Sequence, residues 1–349
     1  FEGYFINPTY FFSRSQAGGT ADRIDFIGSQ RSVATNATYS SCPADGSGDP
    51  AWLLTGERVD TNFDTNEGVA DNAVLRFLGV PIMWAPRLSF PLTDERKSGW
   101  LPPSFAIDSN AGVQVEVPYY WNIAPNRDAT LTPTVSVRRG VGLGAEFRYL
   151  EPTYDGQLNL NFVPDDRVAD RSRYAFNARH DVEWADDTRL AIRLKRVSDD
   201  DYWKDFQREE GTITPRLLLS EIQVTRPFGD WTTYARATRW QVLQDPESLI
   251  VTPYQRLPQI GARTIQVIGL GLEVSFEGEF NRFTNPGSTI EVNRNDGSCF
   301  HALPSISRPW ASQGWKGPPK VTVNAASYSL GRSVLAGSGK QVSRVIPTF

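Results

Sequence analysis

The chain has 349 residues, with 36 basic against 40 acidic side chains and a mean hydropathy of −0.39. Charge so near balance excludes a broad basic footprint for nucleic acid, and the absence of a run of roughly 18 apolar residues excludes a transmembrane helix. Lipid-facing residues of a barrel are hidden by alternation, so this composition fits either a soluble β-protein or an outer-membrane barrel. Ten Trp, twelve Tyr, 28 Gly and 24 Pro against a single methionine, Met83, favour strands and turns over helices. The length is a soft prior for two domains. The chain starts at Phe1 without a leader and stops inside a strand-like run, Val342 to Phe349. It is expected to be an internal segment of a longer protein.

A short internal repeat opens the chain. Arg23-Ile24-Asp25 followed by Val33-Ala34-Thr35-Asn36-Ala37 recurs as Arg58-Val59-Asp60 followed by Val69-Ala70-Asp71-Asn72-Ala73. A repeat of this kind predicts stacked β-units with a shared core. Val80-Pro81-Ile82-Met83-Trp84-Ala85-Pro86 ends the region. Charged residues 94–97, Gly99 and Pro102-Pro103 then mark a domain boundary between residues 94 and 106.

Residues 118–133 carry an aromatic run, Tyr119, Tyr120 and Trp121, then a turn at Ala124-Pro125-Asn126. Beyond the turn Ala129, Leu131, Val135 and Val137 alternate with Asp128, Thr130, Thr132, Thr134 and Ser136, the pattern of a strand with one apolar face. Pro118 and Pro133 fall inside the two flanking strands, where each removes a ladder donor. From about residue 105 the same alternation repeats in long segments. Val141, Leu143, Phe147, Leu158, Leu160, Leu190, Ile192 and Leu194 are expected to face outward, with Glu146, Arg148, Arg179 and Arg193 inward. Aromatics near strand ends (Tyr119, Trp121, Trp184, Trp203, Trp231, Trp310) suit an interfacial girdle. At about 10 residues per membrane strand plus turns, this region makes roughly eleven or twelve strands.

No catalytic constellation emerges. His180 and His301 lie in different segments without metal-ligand spacing, and His180 falls on an apolar strand face as a packed or interfacial residue. Ala336-Gly337-Ser338-Gly339-Lys340 resembles the end of a P-loop but has Val334 where the first Gly is required, and reads as a loop. Asp199-Asp200-Asp201 lacks the Gly and downstream Glu of a calcium loop and reads as a solvated loop. Two cysteines, Cys42 and Cys299, could pair with each other in an oxidising compartment, although one falls in each domain. An enzyme is not expected, nor a cofactor or a metal.

Five blocks resemble the lipopolysaccharide-assembly outer-membrane protein family (LptD, the organic-solvent-tolerance proteins). They are Asp94 to Pro103, Pro118 to Pro133, Gly144 to Leu150, Val197 to Trp203 and His301 to Pro309. They come in the family's order and span most of the chain.

The resemblance implies an all-β fold: residues 1–98 as the C-terminal portion of a periplasmic β-jellyroll, and 99–349 as the N-terminal strands, roughly half, of a large antiparallel outer-membrane β-barrel. It implies translocation of lipopolysaccharide, with acyl chains held in the jellyroll interior and released through a lateral gate. Pro118 and Pro133 match the family's gate prolines and are expected in the first two barrel strands, at the seam where the first strand meets the last. Tyr119, Tyr120 and Trp121 are the aromatic cluster of that hairpin. Cys42 matches a family cysteine whose disulfide partner lies beyond Phe349, whereas Cys299 has no counterpart. The implied partners are lipopolysaccharide, outer-membrane lipid, a lipoprotein plug inside the barrel (LptE-like) and a periplasmic bridge protein (LptA-like). An ordinary porin-like barrel with a periplasmic domain explains the alternation but not the repeat or the in-strand prolines. A secreted β-rich binding protein is a third reading, distinguished by needing no detergent.

Overall fold

A computed structural model describes residues 2–12, 17–42, 50–90, 92, 96–108, 111–206, 216–286, 294–308, 311–312, 315–316, 319–331 and 341–348. The expected loop at 336–340 and Trp310 lie outside them. The fold is all-β, with large antiparallel sheets and, among the described residues, one α-helical turn and one 3-10 turn at Gly269–Gly271, as the alternation and the family resemblance led us to expect. By contacts it divides into two compact units, residues 1–107 with 113–135, and residues 108–112 with 136–349.

The first unit contains β1 (Glu2–Ile6), β2 (Thr9–Phe12), β3 (Ala17–Thr20), β4 (Arg23–Ile27), β5 (Arg31–Tyr39), β6 (Trp52–Asn62), β7 (Glu67–Phe77) and β8 (Val80–Phe90). Their main sheet runs β1-β4-β5-β6-β7-β8, with β2 and β3 as a separate hairpin. The repeat is visible in it. Both copies form hairpins, β4–β5 and β6–β7; Arg23 pairs with Asp25 at 2.6 Å, while its counterpart Arg58 lies 3.9 Å from Asp60, whose nearer partner is Arg31 at 2.7 Å. Asn36 and Asn72, at matching repeat positions, have φ of 48° and 49° in mid-strand. Asparagine tolerates this left-handed conformation because its short amide bonds locally. Asn36 donates to Asp22 and Asn72 to Glu57, and the residues that follow, Ala37 and Ala73, are buried.

Valine at either position would force a β-branched side chain to positive φ. Asn36→Val and Asn72→Val are each expected to lose about 1–3 kcal/mol, and Asn→Gly much less. Chemical denaturation of the full-length protein, followed by protease resistance of this region, checks the contrast.

A cross-strand row of Phe5, Ile24, Ala34, Val59, Ala70 and Leu88 gives one face of the sheet an apolar line. Phe90 lies directly across from Gly68 and covers it, leaving no room for a Cβ there. At the neighbouring hairpin, Tyr10 donates its hydroxyl to the Thr38 carbonyl, and burial pushes its phenol up to about 12.

The first sheet ends at Phe90 and the next begins at Gly99. It starts with β9 (Gly99–Trp100), β10 (Ser104–Asp108), β11 (Gly112–Glu116), β12 (Tyr119–Ala124) and β13 (Arg127–Ser136). The compact units divide elsewhere than the sheets do, because residues 113–135 group with the first unit. The linker explains this. Lys97 pairs with Glu67 at 2.8 Å, while Arg96 pairs with Asp128 at 3.1 Å and the Ser98 hydroxyl accepts the Asn122 N–H at 2.8 Å.

The second unit holds β14 (Gly140–Leu150), β15 (Tyr154–Asp166), β16 (Arg171–Glu183), β17 (Arg189–Val197), the single turn α1 (Tyr202–Asp205), β18 (Leu217–Phe228) and β19 (Trp231–Val242). It continues through β20 (Gln255–Ile268), β21 (Leu272–Thr284), β22 (Gly297–Ser307), the short β23 (Ala311–Ser312) and β24 (Trp315–Lys316), β25 (Lys320–Leu330) and β26 (Gln341–Thr348). From β14 to β22 each strand pairs with its sequence neighbour, and β22-β25-β26 complete the order, giving eleven long strands among the described residues.

Candidate functional site

Register gives the second unit two continuous faces. One carries Leu143, Ala145 and Phe147 opposite Phe162, Leu160 and Leu158, then Phe176 and Ala178, Ile192, Ile222, Ala237 and Ala235, Ile260, Phe280 and Phe300. The other carries Glu146, Gln157, Asn159, Arg179, Asp181, Arg193, Glu221, Arg236, Gln259, Glu279 and His301. Side chains alternate with period two and registers hold across the sheet, so the sequence pattern becomes a two-sided surface.

Burial on these faces is inverted relative to a soluble protein. On the apolar face Leu160 is 41% exposed, Ile222 44% and Phe300 52%. The largest fully buried side chains of this unit are Arg173, Leu243, Gln259 and Asp166. A soluble monomer seldom exposes a contiguous apolar sheet face of this extent. Buried polar residues need partners, and most on this face have them, although Thr238 Oγ1 and Asn281 Oδ1 have none. Arg179 and Arg193 both pair with Asp181, at 2.8 and 2.6 Å, and Glu279 accepts from Tyr234, Gln259 and Asn281.

Aromatic residues gather at one end of the apolar face. Tyr149 shares a hydrogen bond of 2.7 Å with His180 Nδ1, and Tyr154 stands 6.0 Å from each of these two rings. Tyr149 lies over Gly156, the residue paired with His180, and occupies the space a Cβ would need. Trp231 packs edge-on against Phe276 at 5.8 Å. Trp203, expected in the girdle, is not at a strand end. It lies in α1, between Lys204 and Arg216.

The hairpin of β12 and β13 turns at Pro125-Asn126, as expected. Its prolines are placed asymmetrically. Pro133 sits inside β13, but Pro118 sits in a break between β11 and β12, not within a strand. Val117 donates to the Pro133 carbonyl at 3.1 Å, and the reciprocal bond is missing because Pro133 has no N–H. Leu101 donates to the Pro118 carbonyl at 2.8 Å, and that reciprocal bond is missing too. Each proline therefore halves one hydrogen-bonded pair, on opposite sides of the break at residues 117–118. The outer edge of β12 is occupied here by β9, through Tyr119 opposite Trp100.

Three consecutive aromatics do not make one cluster. Tyr119 and Trp121 share a face with Leu131 and Ala129, and Tyr119 meets Trp100 edge-on at 5.0 Å. Tyr120 points to the other face and donates to Asp128 at 3.2 Å. Alternation along a strand separates neighbours that the sequence places together.

Cys42 is half-buried after β5, with its N–H on the Ser40 hydroxyl, and Cys299 is buried in β22. Both are free thiols. His301 Nε2 meets Asn324 Oδ1 at 3.0 Å, and no group of metal-binding residues occurs among the described residues. The solvated-loop reading of Asp199 is corrected. Its side chain is 8% exposed and pairs with Arg171 and Arg173, while Asp200 and Asp201 stay exposed.

Asp199 belongs to a buried ionic cluster that sequence reading missed. Arg139 reaches Asp166 at 2.6 Å and Asp205 at 2.8 Å, and Arg173 reaches Asp199 at 2.8 Å and Asp205 at 2.5 Å. Its members are spread from residue 139 to 205 at no regular interval. The only local signal was the Val197-to-Trp203 block.

Comparison with known proteins agrees with these features. A family profile described as "LPS transport system D" matches residues 171–349, and one described as "LptD protein" matches 69–241. The LPS-assembly protein LptD of Acidovorax sp. (strain JS42) is 40% identical over 363 positions, covering 100% of this chain and 44% of that protein. Those of Albidiferax ferrireducens and Cupriavidus necator are 40% and 38% identical, covering all of this chain and 45% and 42% of their own lengths. The chain thus spans less than half the length of these relatives.

Proposed function

The chain belongs to the LPS transport system D family, and from that premise we propose that it takes part in carrying lipopolysaccharide across and into the outer membrane of a Gram-negative cell. The observation that carries this reading is the burial pattern of the second unit, with large apolar side chains open on one sheet face and Arg173, Gln259 and Asn281 buried on the other. Such a sheet suits lipid on one side and a wet lumen on the other. Tyr154 and Phe162 are about 26 Å apart along β15 at the usual rise, matching an apolar band about 25 Å tall.

In this reading residues 1–98 form part of a periplasmic jellyroll, and 99–349 form barrel strands. The apolar row from Phe5 to Leu88 offers a greasy track for acyl chains, and the polar face from Glu146 to His301 offers hydrogen bonds to sugars. Acyl chains must leave sideways into lipid, where no water replaces a broken ladder bond. A seam already short of donors at Pro118 and Pro133 needs fewer bonds broken to open. A bridge protein on the periplasmic side delivers the lipid, a lipoprotein plug fills part of the lumen, and Cys42 pairs with a cysteine outside this segment. A porin-like barrel would leave the halved pairs at the two prolines without a role.

Depleting the full-length protein should stop newly made lipopolysaccharide from reaching an enzyme confined to the cell surface, within a few generations. Unchanged surface labelling after depletion would remove the proposal.

A further inference from the structure

We propose that residues 198–206 are a strap across one mouth of the polar channel, fastened by Arg139 and Arg173, and that this strap limits the size of solute admitted at rest. The proposal rests on the channel reading above.

Arg173 belongs to the polar face, in register parity with Asn177, Arg179 and Asp181, yet it is completely buried. What buries it is the strap. Asp199 and Asp205 hold its guanidinium, and the stacked rings of Tyr202 and Phe206 lie 5.3 and 5.0 Å from it. Arg139, in the turn before β14, holds Asp205 from the other side and lies 5.2 Å from the Phe206 ring. One step back along the strap, Lys204 pairs with Asp245, beyond the end of β19, at 3.3 Å. Trp203 packs on Arg216, which donates to the carbonyls of Leu243 and Ser248 in that same loop.

Adjacent residues Lys204 and Asp205 are therefore tied to points before β14 and after β19. Those points are five strand spacings apart, about 24 Å along a flat sheet. A one-turn helix joining them lies across the ends of the intervening strands on their polar side.

The sheet is also opened to receive it. Pairing of β17 with β18 stops at Arg193 opposite Glu221. Beyond it, Ser220 bonds both the N–H and the carbonyl of Lys195, and the Gln241 amide does the same for Val197. Side chains stand in for a missing ladder where the strap departs. A buried ionic fastening selects one position of the strap more sharply than apolar contact would, at a cost in desolvation.

The test uses the full-length protein, purified from the outer membrane with any subunit that copurifies, in planar bilayers. In one variant Tyr202 to Phe206 are replaced by a Gly/Ser segment of equal length. In a second, Lys204→Asp breaks the exposed tie, and in a third Lys204→Asp is combined with Asp245→Lys. Heat-modifiable mobility reports folding. The expected result is a several-fold rise in conductance and loss of exclusion of a large glycopeptide antibiotic for the first two, with the third returned to the wild-type value. Folded variants that conduct as wild type overturn the strap. Should the segment replacement fail to fold, the Lys204→Asp variant decides alone: wild-type conductance overturns the proposal, and a rise reversed by Asp245→Lys supports it. Failure of the channel reading would show separately, as surface lipopolysaccharide delivery that survives depletion of the protein.

Discussion

Arg173→Met is expected to destabilise the protein by about 3–5 kcal/mol, the range for breaking a buried ion cluster by removing one partner. Three carboxylates converge on this guanidinium or beside it. Asp199 and Asp205 bond it directly, and Asp166, 3.5 Å away and fully buried, would keep Arg139 as its one cation beside the N–H groups of Val168 and Ala169. Methionine fills much of the volume, so the loss reports charge and not a cavity. Arg179→Met is the control. That side chain is 53% exposed and pairs with Asp155 and Asp181, where a loss of about 0–1 kcal/mol is usual. Urea unfolding of the full-length protein in detergent, followed by heat-modifiable mobility, measures both. Equal small losses would mean that the cluster is hydrated and does not hold the strap.

Pro118→Ala with Pro133→Ala is expected to slow delivery of lipopolysaccharide to the cell surface while leaving the protein folded. Each substitution returns an N–H to a pair that now has one bond of two. A net gain of about 0.5–1.5 kcal/mol per bond makes opening harder by about 1–3 kcal/mol, roughly 5- to 150-fold in the opening equilibrium. The single variants separate the two sides of the break at residues 117–118. Pro133→Ala strengthens β13 against residue 117, inside the hairpin. Pro118→Ala strengthens the outer edge, now held by β9. If the outer edge is the one that parts, Pro118→Ala should carry most of the delay. Surface labelling of newly made lipopolysaccharide in cells carrying each variant is the measurement. Delivery at the wild-type rate in the double variant, with both bonds formed, would leave the prolines without a gating role.

The two results depend on different kinds of information. The prolines were legible before any coordinates, because a missing N–H is a property of the residue itself. The sequence by itself also determined the all-β class, the two faces of the long strands and the hairpin turn at Pro125-Asn126. These are short-range matters: a period of two sorts side chains between faces, and Pro-Asn favours a turn wherever it occurs. The repeat was readable for the same reason, and Asn36 and Asn72 turned out to be its matching kinks.

Only the tertiary structure decided what those faces and residues meet. It split Tyr119, Tyr120 and Trp121 between two faces, set β9 against the edge of β12, and moved Trp203 from the girdle into α1. It also turned Asp199 from a solvated residue into a buried partner of Arg173. Nothing within a few residues of Arg139, Asp166 or Arg173 announces their meeting with Asp205, because registers of separate strand pairs bring them together. Burial of a charge depends on what folds over it, and that is fixed by long-range pairing, not by local pattern.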